Sequence, residues 1–376
     1  MSSSTEEGRT TRPIIVVKIG SSSVVGSDGA IDSASLSKLA AEVAACRNDG
    51  SAVVVVTSGA IAAGLPQLGL RSGQVRDAAV LRAASAVGQT SLMRAFEVAL
   101  GAEGLLGGQV LLAPTDFMLR RRYLKSRGTL HALLELGVVP IINENDAIAD
   151  DEIRFGDNDR LAALVAHLVE AKKLVLLTDT AGLFTADPRL DASASLIEEI
   201  AEIDQTLEDA AGGARSAQSR GGMASKLAAA KIATWSGVET VIAFAGRTNV
   251  VLDAVAGVPG VGTTFRARDQ RLSARKLWIG FALPAAGRVL VDDGARHALV
   301  DHHRSLLPAG ITGVVGKFDA DDAVEIADGA GVVFAKAMVR WSSTEIELNR
   351  GHKTSEVPDH LTDEVVHRDD LVLLPR

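Results

Sequence analysis

Short apolar runs alternate with longer segments of helical periodicity over the first two thirds of the chain. The runs are rich in Val and Ile and almost uninterrupted, which is typical of strands covered on both faces. Between them lie Ala-rich helical patterns at 33–47, 78–100 and 159–171. This alternation predicts an α/β fold, a mostly parallel sheet sandwiched by helices. We expect its strands at 14–17, 52–56, 109–112, 138–142, 174–177 and 240–244.

The alternation stops near residue 260, where the sequence changes character. Residues 258–276 are rich in Gly, Thr and Arg and are interpreted as a linker or crossover. Beyond them, short β-like runs and closely spaced Gly and Asp residues favour a small β-rich module. The acidic segment after Val357 is expected to be poorly ordered. The predicted domains are a catalytic domain at 10–265, a linker at 266–280, a β-rich domain at 281–360 and a tail at 361–376.

Composition narrows the possible functions. The chain has 376 residues, 47% hydrophobic and 3% aromatic, a length that suits roughly two to three domains. No apolar run approaches the ~20 residues of a membrane-spanning helix, and the polar first residues do not resemble a secretory signal. Cys46 is the single cysteine, which excludes a disulfide framework and a cysteine-based zinc site. We therefore expect a cytoplasmic protein with no membrane partner.

Two predicted strand ends carry residues suited to anions. Lys18 leaves the first strand and is followed by Gly20, whose uncrowded backbone lets N–H groups approach a phosphate. Ser58 and Gly59 follow the second strand at an expected helix N-terminus. Either motif alone is compatible with an ordinary strand-to-helix turn or with a helix cap. Each motif indicates an anion-binding site only when it is taken together with the motifs that follow.

Acidic and amide residues form two clusters around the next strand end. Asn143, Glu144, Asn145 and Asp146 end one strand, and Asp157, Asn158 and Asp159 open the following helix. Capping of the helix explains one carboxylate, because negative charge is favoured at a helix N-terminus. The two clusters together hold seven acidic or amide residues, more than capping of one helix requires. They could bind an ammonium group, orient lysines or lie near a magnesium ion.

The last two motifs complete a set suited to phosphoryl transfer. Thr178 and Asp179 end another strand, and Gly221 and Gly222 precede a helix that carries Lys226. Two lysines from glycine-rich turns, with acidic residues between them and no nucleophilic pattern, fit a reaction that needs positioning and charge neutralisation.

In this order the motifs VVKIGSS, VVTSGAIAAG, PIINENDA with GDND, LLTDTAGLFTADPR and GGMASK resemble the amino acid kinase superfamily. The resemblance implies ATP-dependent phosphorylation of the γ-carboxylate of L-glutamate to L-glutamyl 5-phosphate, the first step of proline biosynthesis, with Mg²⁺ as cofactor. It also implies a homo-oligomer, a dimer or tetramer, and feedback inhibition by proline.

By motif match, the resemblance assigns a role to each candidate residue. Lys18 and Lys226 would neutralise the transferring phosphoryl group, and Asp159 would orient them. The substrate-binding residues would be Ser58, Asn143, Asp146, Asp157 and Asn158. ATP would be bound by Lys18, Thr178, Asp179, Arg220, Gly221, Gly222, Met223, Ala224, Ser225 and Lys226. Arg220 departs from the family pattern, which has a Thr there.

The C-terminal motifs GRVLVDDGARHAL, SLLPAGITGVVGKF and AKAMVRW resemble a PUA domain, a pseudo-barrel of RNA-modifying enzymes. However, residues 281–376 carry 10 Lys plus Arg against 16 Asp plus Glu, and the whole chain has a net charge of −8. Affinity for nucleic acid comes mostly from basic residues, so we expect a structural or regulatory role for this domain.

Two alternatives stay open at the level of the sequence. The first is a sister carboxylate kinase acting on acetylglutamate or aspartate. Asp146 and Asp157 speak against acetylglutamate, which has no free ammonium group to pair with carboxylates, and an aspartokinase is expected to carry other regulatory domains. The second is an RNA-binding protein that acts through its C-terminal module.

Overall fold

The computed structural model describes residues 12–374, with gaps at 27, 72, 74, 114, 149–157, 187–190, 192, 205–206, 208–221, 270, 284, 359 and 362–363. The described residues form two compact units. Unit 1 contains those up to Ile203 and those from Gly222 to Asp269. Unit 2 contains Asp204, Leu207 and those from Arg271 onward.

Unit 1 is built on a single sheet. Its strands are β1 (Ile14–Ile19), β2 (Ala52–Val56), β3 (Leu106–Leu112), β4 (Val138–Glu144), β5 (Lys173–Thr178), β6 (Glu199–Ile200), β7 (Glu239–Phe244) and β8 (Gly262–Phe265). They lie in the order β3-β4-β2-β1-β5-β7-β8-β6. Neighbouring strands are parallel, except for β7 and β8, which are antiparallel. The predicted mostly parallel α/β fold is confirmed.

Helices connect these strands. They are α1 (Ser21–Val24), α2 (Ser33–Asn48), α3 (Ala60–Gln67), α4 (Ala78–Ala102), α5 (Thr115–Met118), α6 (Arg120–Glu135), α7 (Asn158–Leu168), α8 (Met223–Trp235) and α9 (Val250–Ala256). Local caps explain where some begin. The Asp32 carboxylate accepts from two N–H groups of α2, and that of Asp77 accepts from one of α4.

The central strands have both faces buried, as their continuous apolarity predicts. Val16 and Val17 of β1 are fully buried although they point to opposite faces, and Val54 and Val55 of β2 are at most 1% exposed. Because β1, β2, β4 and β5 are parallel, their carboxyl ends meet at one edge of the sheet. The motifs at those ends are therefore brought together.

Strand β8 corrects the interpretation of residues 258–276 as a linker. Its residues pair with β7, and Thr263 and Phe265 are fully buried. The Oγ1 of Thr263 accepts a 2.8 Å hydrogen bond from the N–H of Leu183. Gly262 is needed because a Cβ there would lie 2.1 Å from the carbonyl oxygen of Ile242. Gly262 and Thr263, which resembled a linker, are thus buried strand positions.

Unit 2 contains a second, smaller sheet. Its strands β9 (Gly287–Val291), β10 (Ile311–Gly316), β11 (Ala323–Ala327), β12 (Val333–Met338) and β13 (Leu371–Leu373) lie in the order β10-β9-β11-β12-β13. Its helices are α10 (Ala274–Leu277), the π-helix Trp278–Ala282, α11 (Asp293–Val300) and α12 (Ser343–Asn349). The predicted β-rich C-terminal module is confirmed.

Two boundaries in this part differ from the sequence expectation. Part of the expected linker at 266–280 is helical, and Leu277, Trp278 and Ile279 are buried within unit 2. The expected tail at 361–376 is also wrong for the residues described there. Val365 and Val366 are fully buried, and β13 pairs antiparallel with β12. The acidic residues around them, among them Glu364, Asp369 and Asp370, hid these apolar residues in the sequence.

Helices α3 and α4 touch through their backbones. A Cβ on Gly64 would lie 1.8 Å from the carbonyl oxygen of Ala84, and one on Gly88 would lie 1.9 Å from that of Ala60. Only glycine at both positions permits this approach. The contact matters for the site because α3 begins at Ala60, two residues after Ser58. Among all described helices, none is long and apolar enough to cross a membrane.

We expect Gly88→Ala to destabilise the protein, because its methyl group overlaps backbone atoms that have no rotamer to escape. The free energy of unfolding should fall by about 2 kcal/mol or more, the range of overpacked cores. Urea denaturation followed by circular dichroism measures this change. Gly101→Ala in the same helix α4 is the control, since a Cβ there meets no atom within 4 Å. It should be neutral or stabilising by up to ~1 kcal/mol, and equal losses for both variants would contradict the proposed clash.

Candidate active site

A cavity of about 550 Å³ opens at the carboxyl ends of β1, β2, β4 and β5. It lies where doubly wound sheets bind their ligands. Most of the residues that the sequence selects line it, namely Lys18, Ser58, Asn143, Asp146, Asn158, Thr178, Asp179, Gly222, Met223 and Lys226. The strand-end motifs are therefore one site, as expected from the parallel sheet.

Three buried charges lie on one side of this cavity. Asp159, in the first turn of α7, is fully buried, and its two carboxylate oxygens contact the ammonium groups of Lys18 and Lys226. The Lys226 Nζ lies 3.2 Å from Oδ2, and the Lys18 Nζ contacts Oδ1 at shorter range. The lysines are 4% and 6% exposed. Isolated buried charges are expensive, so each of these three groups depends on the others.

The lysines also determine the ionisation of Asp159. Burial alone opposes the charged carboxylate, but the attraction of Lys18 and Lys226 outweighs it and holds the pKa of Asp159 below its usual value. Asp159 is therefore ionised near pH 7. Together the three groups carry a net charge of +1 beneath the cavity, which suits a ligand with several negative charges.

A chain of amides, buried except for Gln109, forms the opposite side. The Nδ2 of Asn158 donates to the Oδ1 of Asn143 at 2.7 Å and to the carbonyl oxygen of Thr57. The Nδ2 of Asn143 donates in turn to the Oε1 of Gln89 at 2.9 Å. Gln89 Nε2 reaches the Oε1 of Gln109 at 3.3 Å. These contacts fix which atom of Asn143 and Asn158 faces each neighbour.

Asp146 and Ser58 complete this side. Asp146 opens a 3-10 turn after β4, and its Oδ2 accepts a 2.6 Å hydrogen bond from the hydroxyl of Ser85 on α4. Ser58 lines the cavity, and the residue that caps α3 is Gly59, whose φ is +104°. The simpler interpretation of Ser58 as the helix cap is therefore wrong, and its side chain is placed at the cavity instead.

The remaining predicted residues lie at the start of α8 and at the end of β5. The Oγ1 of Thr178 donates to the Oδ1 of Asp179 at 2.9 Å. Gly222 is the N-cap of α8 and provides no side-chain cap, so the first N–H groups of this helix are available to an anion. Ser225 lies in the first turn with its hydroxyl buried and without a hydrogen-bond partner among the described residues.

The other predicted residues do not line the cavity or are not described. Ala224 is exposed and, like Ser225, does not line the cavity. Asp157, Arg220 and Gly221 lie outside the described residues.

Two contacting residues escaped the sequence analysis. Ser85 and Gln89 are buried on α4, about 60 positions before the residues they bind. The signal available was two polar side chains four residues apart on an Ala-rich helix, because residues at that spacing share a face. Nothing in the sequence shows which strand end this face meets.

A second cavity of about 690 Å³ lies in unit 2. Small and apolar residues such as Ala295, Ala298 and Leu306 line much of it, and Arg304 and Arg368 lie at its edge. Neither arginine is buried. Because buried paired charges of the kind seen in unit 1 are not found among its lining residues, we assign the chemistry to the cavity of unit 1.

Known proteins share both parts of the chain. The Amino acid kinase family matches residues 13–243, and the PUA domain matches residues 287–361. The glutamate 5-kinase of Geobacter sp. (strain M21) is 47% identical over 364 residues, which cover 96% of this chain and 97% of that protein. The glutamate 5-kinases of Citrifermentans bemidjiense and Paraburkholderia phytofirmans are 47% and 44% identical with the same coverage.

We expect Asp159→Asn to destabilise the protein at pH 7, because two buried lysines lose their shared negative charge. Breaking a buried ion pair costs on the order of 3–5 kcal/mol, which urea denaturation can measure. The pKa of Asp159 is lowered by folding, so its contribution is complete above the unfolded value of 3.8 and is lost as the pH falls through the folded value. The difference between wild type and variant should therefore be constant above about pH 5 and narrow only in more acidic solution.

Asp253→Asn is the matched control for this variant. Asp253 forms a 2.8 Å ion pair with Arg247, but both side chains are about one third exposed. Exposed pairs contribute about 0–1 kcal/mol. If both variants lost a similar free energy of unfolding, the buried ion pairs of Asp159 would stabilise the protein no more than an exposed pair.

Proposed function

The chain belongs to the amino acid kinase family, and we propose that it acts as a glutamate 5-kinase. It transfers the γ-phosphoryl group of ATP to the side-chain carboxylate of L-glutamate, giving ADP and L-glutamyl 5-phosphate, the first step of proline biosynthesis. The observation that carries this proposal is the buried Lys18–Asp159–Lys226 cluster beside a cavity lined with amides and a carboxylate.

The reaction asks little covalent chemistry of the protein. An oxygen of the glutamate γ-carboxylate forms a bond to the γ-phosphorus, and the bond from that phosphorus to the β–γ bridging oxygen breaks. No proton must be moved, since the acceptor is already an anion. The two reactants repel each other, so catalysis rests on positioning and on neutralising charge. Lys18, at the end of β1, and Lys226, in the first turn of α8, supply positive charge for that neutralisation.

Asp159 serves as the positioning residue for both lysines. Each of its oxygens contacts one ammonium group, so neither lysine can swing into solvent without losing a buried contact. Their charges are therefore fixed before substrates arrive, and little reorganisation is needed as negative charge develops on the transferring group.

We assign the amide side of the cavity to glutamate. Asp146, with Asp157, pairs with the α-ammonium group, which needs a counter-charge once it leaves water. Ser58, Asn143 and Asn158 offer hydroxyl and amide groups to the carboxylates. A free ammonium group is thereby favoured over an acetylated one, which separates this proposal from an acetylglutamate kinase.

The nucleotide is assigned to the N-terminus of α8 and the end of β5. Gly222 and Met223 offer N–H groups to the phosphates, and Lys226 offers its charge. The motif match assigns Arg220, Gly221, Ala224 and Ser225 to the same ligand. Thr178 and Asp179 contact the rest of ATP.

Mg²⁺ would be held mainly by the nucleotide. Such an ion is bound mostly by phosphate oxygens and waters and needs only one or two carboxylates. No cluster of three acidic or histidine side chains is present in the described part of the chain, and Asp179, exposed at the cavity mouth, offers one carboxylate. When bound, Mg²⁺ neutralises charge on the β- and γ-phosphates.

Three finer points belong to the same proposal. The reaction takes place in the cytoplasm, where ATP and glutamate are both supplied. The enzyme is a homo-oligomer that proline inhibits. Support for association comes from the edge strand β3 and neighbouring α4, where Leu106 and Val98 are 64% and 71% exposed.

We expect Lys18→Ala and Lys226→Ala each to lower kcat by at least ~100-fold, the effect of removing one group that stabilises transition-state charge. Trapping the acyl phosphate with hydroxylamine in the presence of ATP and glutamate measures turnover. Lys38→Ala is the control, since this lysine pairs with Glu42 on α2 outside the cavity lining. If a folded variant at position 18 or 226 kept near wild-type kcat, that lysine would not act on the phosphoryl group.

We expect Asp146→Asn to raise the KM for glutamate by ~10-fold or more, because a charge-assisted contact of about 1.5–3 kcal/mol is lost. The KM for ATP should change less than about twofold, since the nucleotide is held at α8 and β5. Steady-state kinetics with both substrates varied measures the two constants. An unchanged glutamate KM would remove Asp146 from the ammonium site and favour an acceptor without a free amino group.

A further inference from the structure

Helix α4 contributes two buried polar side chains to the wall behind the glutamate side of the cavity. Ser85 and Gln89 are 5% and 7% exposed and lie one turn apart on the same face. Neither lines the cavity. Both instead contact residues that do, and the contacts join segments about 60 positions apart in the chain.

Ser85 acts on Asp146. A serine inside a helix commonly donates to the carbonyl oxygen four residues earlier. Here its hydroxyl donates to the Oδ2 of Asp146 at 2.6 Å, the short distance typical of a bond to a carboxylate. This bond fixes the rotation of the carboxylate at the cavity wall.

Gln89 acts on Asn143. Its Oε1 accepts from the Nδ2 of Asn143, while the Oδ1 of Asn143 accepts from Asn158 and from the N–H of Glu144. A flipped Asn143 would place its amide hydrogens against these two donors. Gln89 therefore fixes which way the amide of Asn143 points, and with it the donors and acceptors that the cavity offers.

The helix that carries both residues cannot easily shift. The backbone contact of Gly64 with Ala84 and of Gly88 with Ala60 holds α4 against α3 beside Ser85 and Gln89. Since α3 begins after Ser58, the same contact ties Ser58 to the positions of Asp146 and Asn143. One helix thus sets the relative placement of these three residues.

We propose that Ser85 and Gln89 are positioning residues that set the affinity and selectivity for the amino-acid acceptor, Ser85 through Asp146 and Gln89 through Asn143. This proposal rests on the assignment of Asp146 to the α-ammonium group. It predicts an effect confined to the amino-acid substrate and, for Ser85, to the ammonium group of that substrate.

The first test is Ser85→Ala. We expect the KM for glutamate to rise about 10-fold, the equivalent of about 1.4 kcal/mol, while kcat and the KM for ATP change less than about twofold. The Ki of glutarate, a dicarboxylate of equal length without the ammonium group, should stay unchanged. A purely structural role would move all of these constants together, and that outcome would overturn the proposal.

Ser91→Ala is the matched control on the same helix. The Ser91 hydroxyl accepts a 2.9 Å hydrogen bond from Gln67 on α3 and does not contact the cavity lining. This variant therefore loses a hydroxyl of α4 without touching Asp146 or Asn143. Its glutamate KM should stay within about twofold of wild type, and an increase equal to that of Ser85→Ala would contradict a specific role for Ser85.

Gln89→Met provides an independent variant of similar volume. It removes the acceptor of the Asn143 amide, and we expect a rise in the glutamate KM of about 5-fold or more with an unchanged KM for ATP. Equilibrium urea unfolding of each variant shows that the compared proteins are folded. An unchanged glutamate KM in folded Gln89→Met would remove Gln89 from the proposal.

A double-mutant cycle separates this inference from the proposed function. If Ser85 acts through Asp146, Ser85→Ala should change the glutamate KM less than about twofold in an Asp146→Asn background. Additive effects would show that Ser85 acts by another route and overturn the inference alone. If Asp146→Asn itself left the glutamate KM unchanged, the ammonium assignment would fail and the inference with it.

Discussion

The buried carboxylate of Asp159 is the interaction on which the rest of unit 1 depends. It holds Lys18 from the end of β1 and Lys226 from the start of α8, so three segments far apart in the chain must meet at one edge of the sheet. The parallel arrangement satisfies this requirement, because it brings the ends of β1, β2, β4 and β5 together. The charges in turn favour a single arrangement, since any other would leave a charge buried without a counter-charge.

Much of this architecture could be predicted from the sequence, and the remainder has physical reasons for being hidden. Continuous runs of Val and Ile identified the central strands, and Lys18, Asp159 and Lys226 could be selected because they follow such runs or glycine-rich turns. Strand β8 was missed because Gly262 and Thr263 resemble a linker until the close neighbouring backbone is known. Ser85 was missed because its partner lies 61 positions away and only the packing of α4 joins them. Registers and side-chain contacts across the sheet depend on packing that local sequence does not encode.

The two sides of the cavity are built on different principles. The side that we propose for phosphoryl transfer uses a strand end and a helix N-terminus, where Asp159 holds two lysines near backbone N–H groups. The side that we propose for the acceptor relies on the lateral face of α4 and on two glycines that let this helix approach α3. Exchange of one acceptor for another could therefore arise through changes on α4 that leave the lysines and their carboxylate intact.

The amide chain from Gln109 through Gln89, Asn143 and Asn158 to the carbonyl oxygen of Thr57 has one further consequence. Gln89 and Asn143 each donate to one neighbour and accept from the other, and the Nδ2 of Asn158 donates to both of its neighbours. None of these three amides can reverse without placing like atoms face to face. The rotational entropy of these side chains is lost when the protein folds and not when the acceptor that we propose for this side binds. Because these side chains have little conformational freedom left to lose on binding, the few contacts that a small ligand can make suffice to hold it in one orientation.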